Sequence, residues 1–357
     1  MVCFSGVMKL DFFPCNLKLR HTWTISGGAG LDAVPTVLAR LRDASTVGVG
    51  EAPVSFRYSQ TADSIQDFLR RVDPRKLSFD DISGSMDYLE KIAPGNHSAK
   101  CAVNVALCDG AARGAGQALC DFLGLGFGEN QHVTSFSIGL DTADGVRQKT
   151  AEASAYPILK LKTGSAEDRD NLAALRQIAP RKTLRVDANE AWATKEEALR
   201  NIEWLAKDGH IEFVEQPMPA GTPVEDLVWL KRRSPLPLFA DESFHRAQDV
   251  AACAPCWHGV NVKLLKAGGV TPACEALKAA RQAGLRTMIG CMIETSILIS
   301  AAAHLANLAD HLDIDGNLLI TNDPFAGVTA ERGIVSFAAA PEKTGLRVQA
   351  RGADPFS

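Results

Sequence analysis

Three lysines and three carboxylates in this 357-residue chain fall where they can move a proton. Lys160-Leu161-Lys162 closes the apolar run that starts at Ile158, and Thr163-Gly164 follows as a turn. Side chains alternate along a strand, so the two lysines share a face. Ammonium groups held together on an apolar strand repel each other and lose hydration, and both effects favour the neutral amine that accepts a proton. The plain alternative is an edge strand carrying solubilising charge. Downstream residues decide between the two. Arg185-Val186-Asp187-Ala188-Asn189, Val214-Glu215-Gln216-Pro217 and Ala240-Asp241-Glu242-Ser243 each end an apolar run in a carboxylate. One such acid caps a helix by default. Three at matched positions make a metal the better reading, and oxygen-only donors suit a hard ion, Mg²⁺ first, with Mn²⁺ or Ca²⁺ behind it. Val262-Lys263-Leu264-Leu265-Lys266-Ala267-Gly268-Gly269 supplies two more lysines. Lys266 shares parity with Val262 and Leu264, so an apolar inner layer would put Lys266 at the mouth, opposite Lys162.

The elements that must position these groups follow a regular pattern. Strands are expected within Val133–Gly139, Ile158–Lys162, Thr183–Asn189, Phe213–Pro217, Leu236–Ser243, Val260–Lys266, Arg286–Glu294 and Leu312–Asp315, with helical stretches between them. Eight βα units are what a (β/α)₈ barrel needs, and in such a barrel the strand ends converge on one mouth. An open doubly wound sheet uses the same alternation, but no G-x-G-x-x-G turn follows an early strand. The first part of the chain differs. Two strands interrupted by Pro14 are expected over Met8–Phe13 and Asn16–Arg20. A Gly-rich mobile loop follows from Trp23 to Gly30, then strands over Ala33–Arg42 and Val47–Pro53. Helices are expected over Ser64–Val72, Phe79–Ile92 and Asn96–Leu123. The fold class is therefore α/β, a barrel with an N-terminal α+β unit. We place the N-terminal unit at 1–126, the barrel at 127–332, and a tail at 333–357 that packs back on the first unit.

Composition narrows the function. A net charge of −4 without a basic run gives no sign of a nucleic-acid-binding surface, and no nucleic-acid partner is expected. No apolar stretch approaches the ~20 residues of a membrane span. Nine scattered cysteines in a long chain argue against a disulfide scaffold. Cys253-Ala-Pro-Cys256 has no second pair or nearby histidine pair to complete a zinc site. Met1 to Val7 has no charged stretch before its apolar residues, so it does not read as a signal peptide, and a cytoplasmic protein is expected.

With these residues in place, the chain resembles the enolase superfamily, specifically its muconate-lactonizing-like subgroup and the dipeptide epimerases within it. Lys160-Leu161-Lys162 matches the K-x-K of that family, Asp187, Glu215 and Asp241 its Mg²⁺ ligands, and Lys266 its second base. The resemblance begins at Gly48-Val49-Gly50-Glu51-Ala52-Pro53 in a capping domain. It continues to Gly290-Cys291-Met292-Ile293-Glu294-Thr295 and to Asp313-Ile314-Asp315-Gly316. It implies that Asp313 and Asp315 hold the α-ammonium group of a dipeptide, with Met292, Glu294 and Trp23 lining the substrate site. It also implies that Lys162 and Lys266 invert the C-terminal residue's α-carbon through an enediolate, supported by Lys160. Glu242 reads equally well as support for Lys266 or a metal ligand and as a helix cap.

Substrate choice rests on the loop near 20–30. Ala-Glu epimerases of the family carry a basic residue there, where this chain has Gly27 or Gly28, with Arg20 and His21 earlier. Apolar dipeptides are the second choice, with Trp23 against a larger side chain. Rival readings are a muconate cycloisomerase, an o-succinylbenzoate synthase or an N-acylamino-acid racemase, and more remotely a non-catalytic metal-binding barrel. Oligomeric state is not written in the sequence, and a homo-oligomer is compatible with it.

Overall fold

The computed structural model describes residues 7–356; Cys3 and the 1–6 part of the N-terminal segment lie outside the described residues. The chain opens with an antiparallel sheet, β1 (Lys9–Trp23), β2 (Leu31–Arg42) and β3 (Val47–Pro53), in that spatial order. β1 runs unbroken through Pro14, which pairs with Val37. The expected break is absent because β1 is an edge strand, where a residue without an N–H leaves no ladder bond unmade. Three helices follow: α1 (Ala62–Arg70), α2 (Ile82–Ile92) and α3 (His97–Gly114). Thr61 caps α1 and Asp81 caps α2 through their side-chain oxygens.

Helix α3 explains its own Ala-rich sequence. It has no single apolar face, because both sides are covered. Ala99, Ala102, Val103 and Ala106 join the capping core of Val37, Leu41, Phe68 and Leu89, whereas Cys101, Val105, Cys108 and Ala112 join the core of the second unit. A helix wedged between two layers is apolar all round, and small side chains let both layers approach. It stops at Gly114, short of the expected Leu123, and a separate turn of helix covers Leu119–Phe122.

A short strand, β4 (His132–Val133), precedes eight parallel strands: β5 (Phe136–Ile138), β6 (Ile158–Lys162), β7 (Thr183–Asp187), β8 (Ile211–Glu215), β9 (Leu238–Ala240), β10 (Gly259–Lys263), β11 (Arg286–Gly290) and β12 (His311–Asp313). They form one sheet in sequence order, and Ser135 N donates to Leu312 O at 3.2 Å where its edges meet. This is the eight-stranded barrel that the alternating pattern requires. Its residues facing the helices are the apolar ones, among them Leu159, Leu161, Val186, Val214, Val260 and Val262. Phe213, Phe239 and Met288 fill the lower interior, with the two rings stacked at 4.2 Å. The tail returns along α3, where Leu346 N donates to Asp109 Oδ1 at 2.7 Å and Leu119 N to Gly345 O at 2.8 Å. No helix among the described residues is long and apolar enough to cross a membrane.

Candidate active site

Register places the chemistry in one layer at the mouth. Lys162 pairs with Asp187, and Asp187 with Glu215, each the last residue of its strand. Asp241 lies one residue past β9, and Lys263 ends β10. Oxygens of Asp187, Glu215 and Asp241 lie within 4.8 Å of one another, and all three residues are fully buried.

Lysines surround these acids. Lys160 Nζ donates to Asp313 Oδ2 at 2.6 Å and lies 2.7 Å from Glu215 Oε2 and 3.1 Å from Asp187 Oδ2. Burial alone would lower its pKa, but the Asp313, Glu215 and Asp187 carboxylates win and hold it well above the usual lysine value. Lys160 itself is therefore not depressed by the lysine beside it, since carboxylates counter it on three sides. Lys162 Nζ donates to Asp187 Oδ2 at 2.6 Å, and Lys263 Nζ to Asp241 Oδ2 at 2.8 Å.

Lys266 is not at the mouth. β10 ends at Lys263, and Lys266 sits in the helical turn Leu264–Ala267. Its Nζ bonds Asp241 O, Asp241 Oδ1 and Asn261 O, so all three ammonium protons are used, and its side chain is 0% exposed. The parity argument failed because the inner layer near the mouth is polar. Gly259, Asn261 and Lys263 face inward while Val260 and Val262 face the helices. Lys162 and Lys263 end strands four places apart in an eight-strand ring, so they stand on opposite walls, with side chains 9% and 8% exposed.

The other expected site residues divide. Asp313 is occupied by Lys160 and by Ser135 Oγ at 2.6 Å, and those contacts, against burial, bring its pKa down to about 2. Asp315 accepts the Ser137 amide at 2.6 Å on one oxygen, and burial with the Asp313 charge raises its pKa to about 7. Met292 Sδ lies 3.9 Å from Lys263 Nζ. Glu294 turns back to accept the Met292 amide at 3.0 Å and is 2% exposed, so it braces the loop after β11. Glu242 contacts Asn189 Nδ2 at 3.4 Å and makes no hydrogen bond to Lys266. Trp23 lies against Gly139, where a Cβ would come 3.2 Å from its ring. The 23–30 loop is anchored by Leu140 N donating to Thr24 O at 3.0 Å. Arg20 Nε bonds Leu318 O at 2.8 Å and His21 bonds Glu152 at 2.7 Å, which leaves the Gly-rich turn without a basic side chain of its own. Cys253 and Cys256 are free and buried.

The residues present fit a divalent cation. Asp187, Glu215, Asp241, Glu242, Asp313 and Asp315 are six carboxyls facing four lysines in a largely buried space. A charge of two closes that difference. Glu242 Oε2 and Asn189 Oδ1 are buried beside the cluster without a partner, which suits a hydrated hard ion. Without such a charge, burial and the neighbouring acids raise Glu215 to about 7 and Glu242 to about 8.

Comparison with known proteins agrees with this geometry. The family model described as enolase C-terminal domain-like matches residues 141–350. An L-Ala-D/L-amino acid epimerase from Pedosphaera parvula is 60% identical over 96% of this chain and 100% of its own length. The substrate-liganded structure of the L-Ala-D/L-Glu epimerase from Bacillus subtilis superposes with a TM-score of 0.90 at 26% identity, covering 98% of this chain and 100% of that one. A dipeptide epimerase from Enterococcus faecalis, complexed with Mg and L-Leu-L-Tyr, gives 0.86 at 28% identity, covering 97% and 99%. The chain belongs to the enolase superfamily. Its enzyme class is that of the isomerases.

Proposed function

We propose that the protein is a dipeptide epimerase that inverts the α-carbon of the C-terminal residue, with Lys162 and Lys263 as its two bases. The observation that carries this reading is the placement of two lysines on opposite walls of the mouth, flanking the three-carboxylate cluster. A proton α to a carboxylate is weakly acidic, so its removal requires strong stabilisation of the enediolate that forms. Mg²⁺ held by Asp187, Glu215 and Asp241 supplies positive charge for the substrate carboxylate when bound. Lys162 and Lys263 then act from opposite faces, one Nζ taking the α-proton and the other returning one. Lys160, held charged by its three acids, adds fixed positive charge beneath the reacting carboxylate. Asp315, whose Oδ1 meets only the weak thiol donor of Cys291 at 4.0 Å, is the acid that would take the substrate's α-ammonium, while Asp313 is oriented by Lys160 and Ser135. Lys266 anchors Asp241 from behind.

Relatives named for L-Ala at the first position support L-Ala-Xaa substrates. Arg20 and His21 are turned to Leu318 and Glu152, which argues for breadth at the second position over a preference for glutamate. The test is a dipeptide library incubated in D₂O with Mg²⁺ and read by mass gain, with EDTA as control. N-acetylated dipeptides are expected to be poor substrates. Equal turnover of free and N-acetylated dipeptides would favour an N-acylamino-acid racemase instead.

A further inference from the structure

A loop of the capping unit brings Tyr58 against His245, beyond Asp241 and Glu242, and the proposed proton transfer does not itself explain how that loop is held. Arg57 Nε and Nη2 donate to Glu190 Oε2 at 2.6 Å and to Oε1 at 2.8 Å, a two-pronged pair between the capping unit and the barrel. Glu190 Oε1 also accepts the Ala220 amide at 2.8 Å, and the Glu190 amide donates to Gln216 O at 2.9 Å. One residue therefore ties three segments: the 55–60 loop, the turn after β7 and the turn after β8. Those two turns follow Asp187 and Glu215 directly, and the first is bonded to Asp187 Oδ1 through the Asn189 amide at 2.9 Å.

The turns hold an uncommon shape. Asn189, Glu190 and Gln216 have φ of 43°, 66° and 36°, a region that a residue with a Cβ enters only at a cost. Such a conformation persists only where neighbours impose it. Tyr58, next to Arg57, stands edge-on to His245 with ring centroids 5.3 Å apart, in the loop that follows Asp241 and Glu242. Its phenol is raised well above its ordinary value by burial and then by Asp241, against the opposing charge of Lys263. Tyr58 thus lies within the electrostatic reach of the second base.

We propose that the Arg57–Glu190 pair is a latch that holds the 55–60 loop closed over the Lys263 wall and delivers Tyr58 there as a positioning residue. The idea rests on the epimerase reading for its kinetic consequences only. The pair touches no reacting atom and acts through the loop it holds, so it governs how long substrate stays bound and leaves the chemical step alone. Arg57 is half exposed and Glu190 is 17% exposed, so screening leaves a modest effect, helped by the forked geometry.

The experiment compares Arg57→Gln, Glu190→Gln and the double variant. Glutamine at 190 keeps an acceptor for the Ala220 amide while removing the charge. The latch predicts a rise in KM of about fivefold in each single variant, with kcat held within about twofold and no further rise in the double. Sodium chloride should raise the parent's KM and leave the variants unmoved. Amide hydrogen exchange across 55–60, read without substrate, should quicken equally in all three. Additive KM effects, a loss confined to kcat, or unchanged exchange in 55–60 would each overturn the latch. Absence of any dipeptide turnover by the parent would instead sink the functional reading, and the exchange comparison would still decide the latch.

Discussion

The two walls of the mouth are closed by different physics. Over Lys162, the Trp23–Ser26 segment lies in close contact with backbone: a Cβ on Gly139 would come 3.2 Å from Thr24 O, and one on Gly164 2.8 Å from Ser26 Oγ and 2.3 Å from Ala191 Cβ. The 55–60 loop, which carries Tyr58 into the electrostatic reach of Lys263, is tied down by the charges of Arg57 and Glu190. Close packing is indifferent to salt and intolerant of volume. An ion pair is the reverse. A single capping unit therefore covers two bases with contacts that respond to different perturbations, and each wall is open to separate attack.

The largest effect separates Lys263 from Lys266, which grip opposite oxygens of the same carboxylate. Lys263→Met should lower kcat by roughly 10²–10⁴-fold, with a smaller loss of stability than Lys266→Met because Lys263 gives up one bond to Asp241 where Lys266 gives up three. Lys266→Met should chiefly destabilise the fold, by ~3 kcal/mol, because it unmakes a sealed charge pair. A stable, inactive Lys266 variant beside an active Lys263 variant would reverse the assignment. Next comes Asp315→Asn, expected to raise KM for free dipeptides about a hundredfold by leaving the α-ammonium unpaired. An unchanged KM would remove Asp315 from the binding site.

Gly164→Ala is the volume test on the Lys162 wall. Its φ of 107° and the crowding by Ser26 and Ala191 make any side chain costly there. We expect kcat/KM to fall about tenfold, with no dependence on salt. A salt-sensitive loss would mean that charge closes this wall as well.

How much of this was legible follows from what sets each position. The eight strands and three acids repeat at a steady pitch, and Asp187, Glu215 and Asp241 fall where βα loops must converge. Lys266 was misplaced because parity was anchored to apolar residues. In a barrel wrapped by helices it is the outward face, Val260 and Val262, that is apolar, and the mouth-facing residues Asn261 and Lys263 are polar. That inversion was readable in Lys160 and Lys162, whose neighbours Leu159 and Leu161 face out. The contact of Lys160 with Asp313 spans 153 residues, and that of Arg57 with Glu190 spans 133. Neither leaves a local pattern, so the state of Lys160 and the tie between the capping loop and the barrel are visible only in the folded structure.

The smallest effect is on stability and belongs to the Lys263 wall. Burial, then the Glu51 carboxylate, raises Glu294 from 4.5 to about 8. The folded state binds that proton more tightly than the unfolded chain, so its stabilisation is full below pH 4.5 and is lost as pH rises through about 8. Glu294→Gln should flatten that decline, by a few degrees in melting temperature. Parallel curves for parent and variant would show that Glu294 is not the group responsible.

The account's central claim is that Lys162 and Lys263 serve opposite faces of one carbon. Its most direct test is α-proton exchange in D₂O by Lys162→Ala and Lys263→Ala, each given the two epimers of one L-Ala-Xaa dipeptide with Mg²⁺. Each variant should fail to epimerise yet still exchange the proton of a single epimer, and the two variants should choose opposite epimers. Exchange of the same epimer by both variants, or of both epimers by either one, would contradict the two-wall assignment.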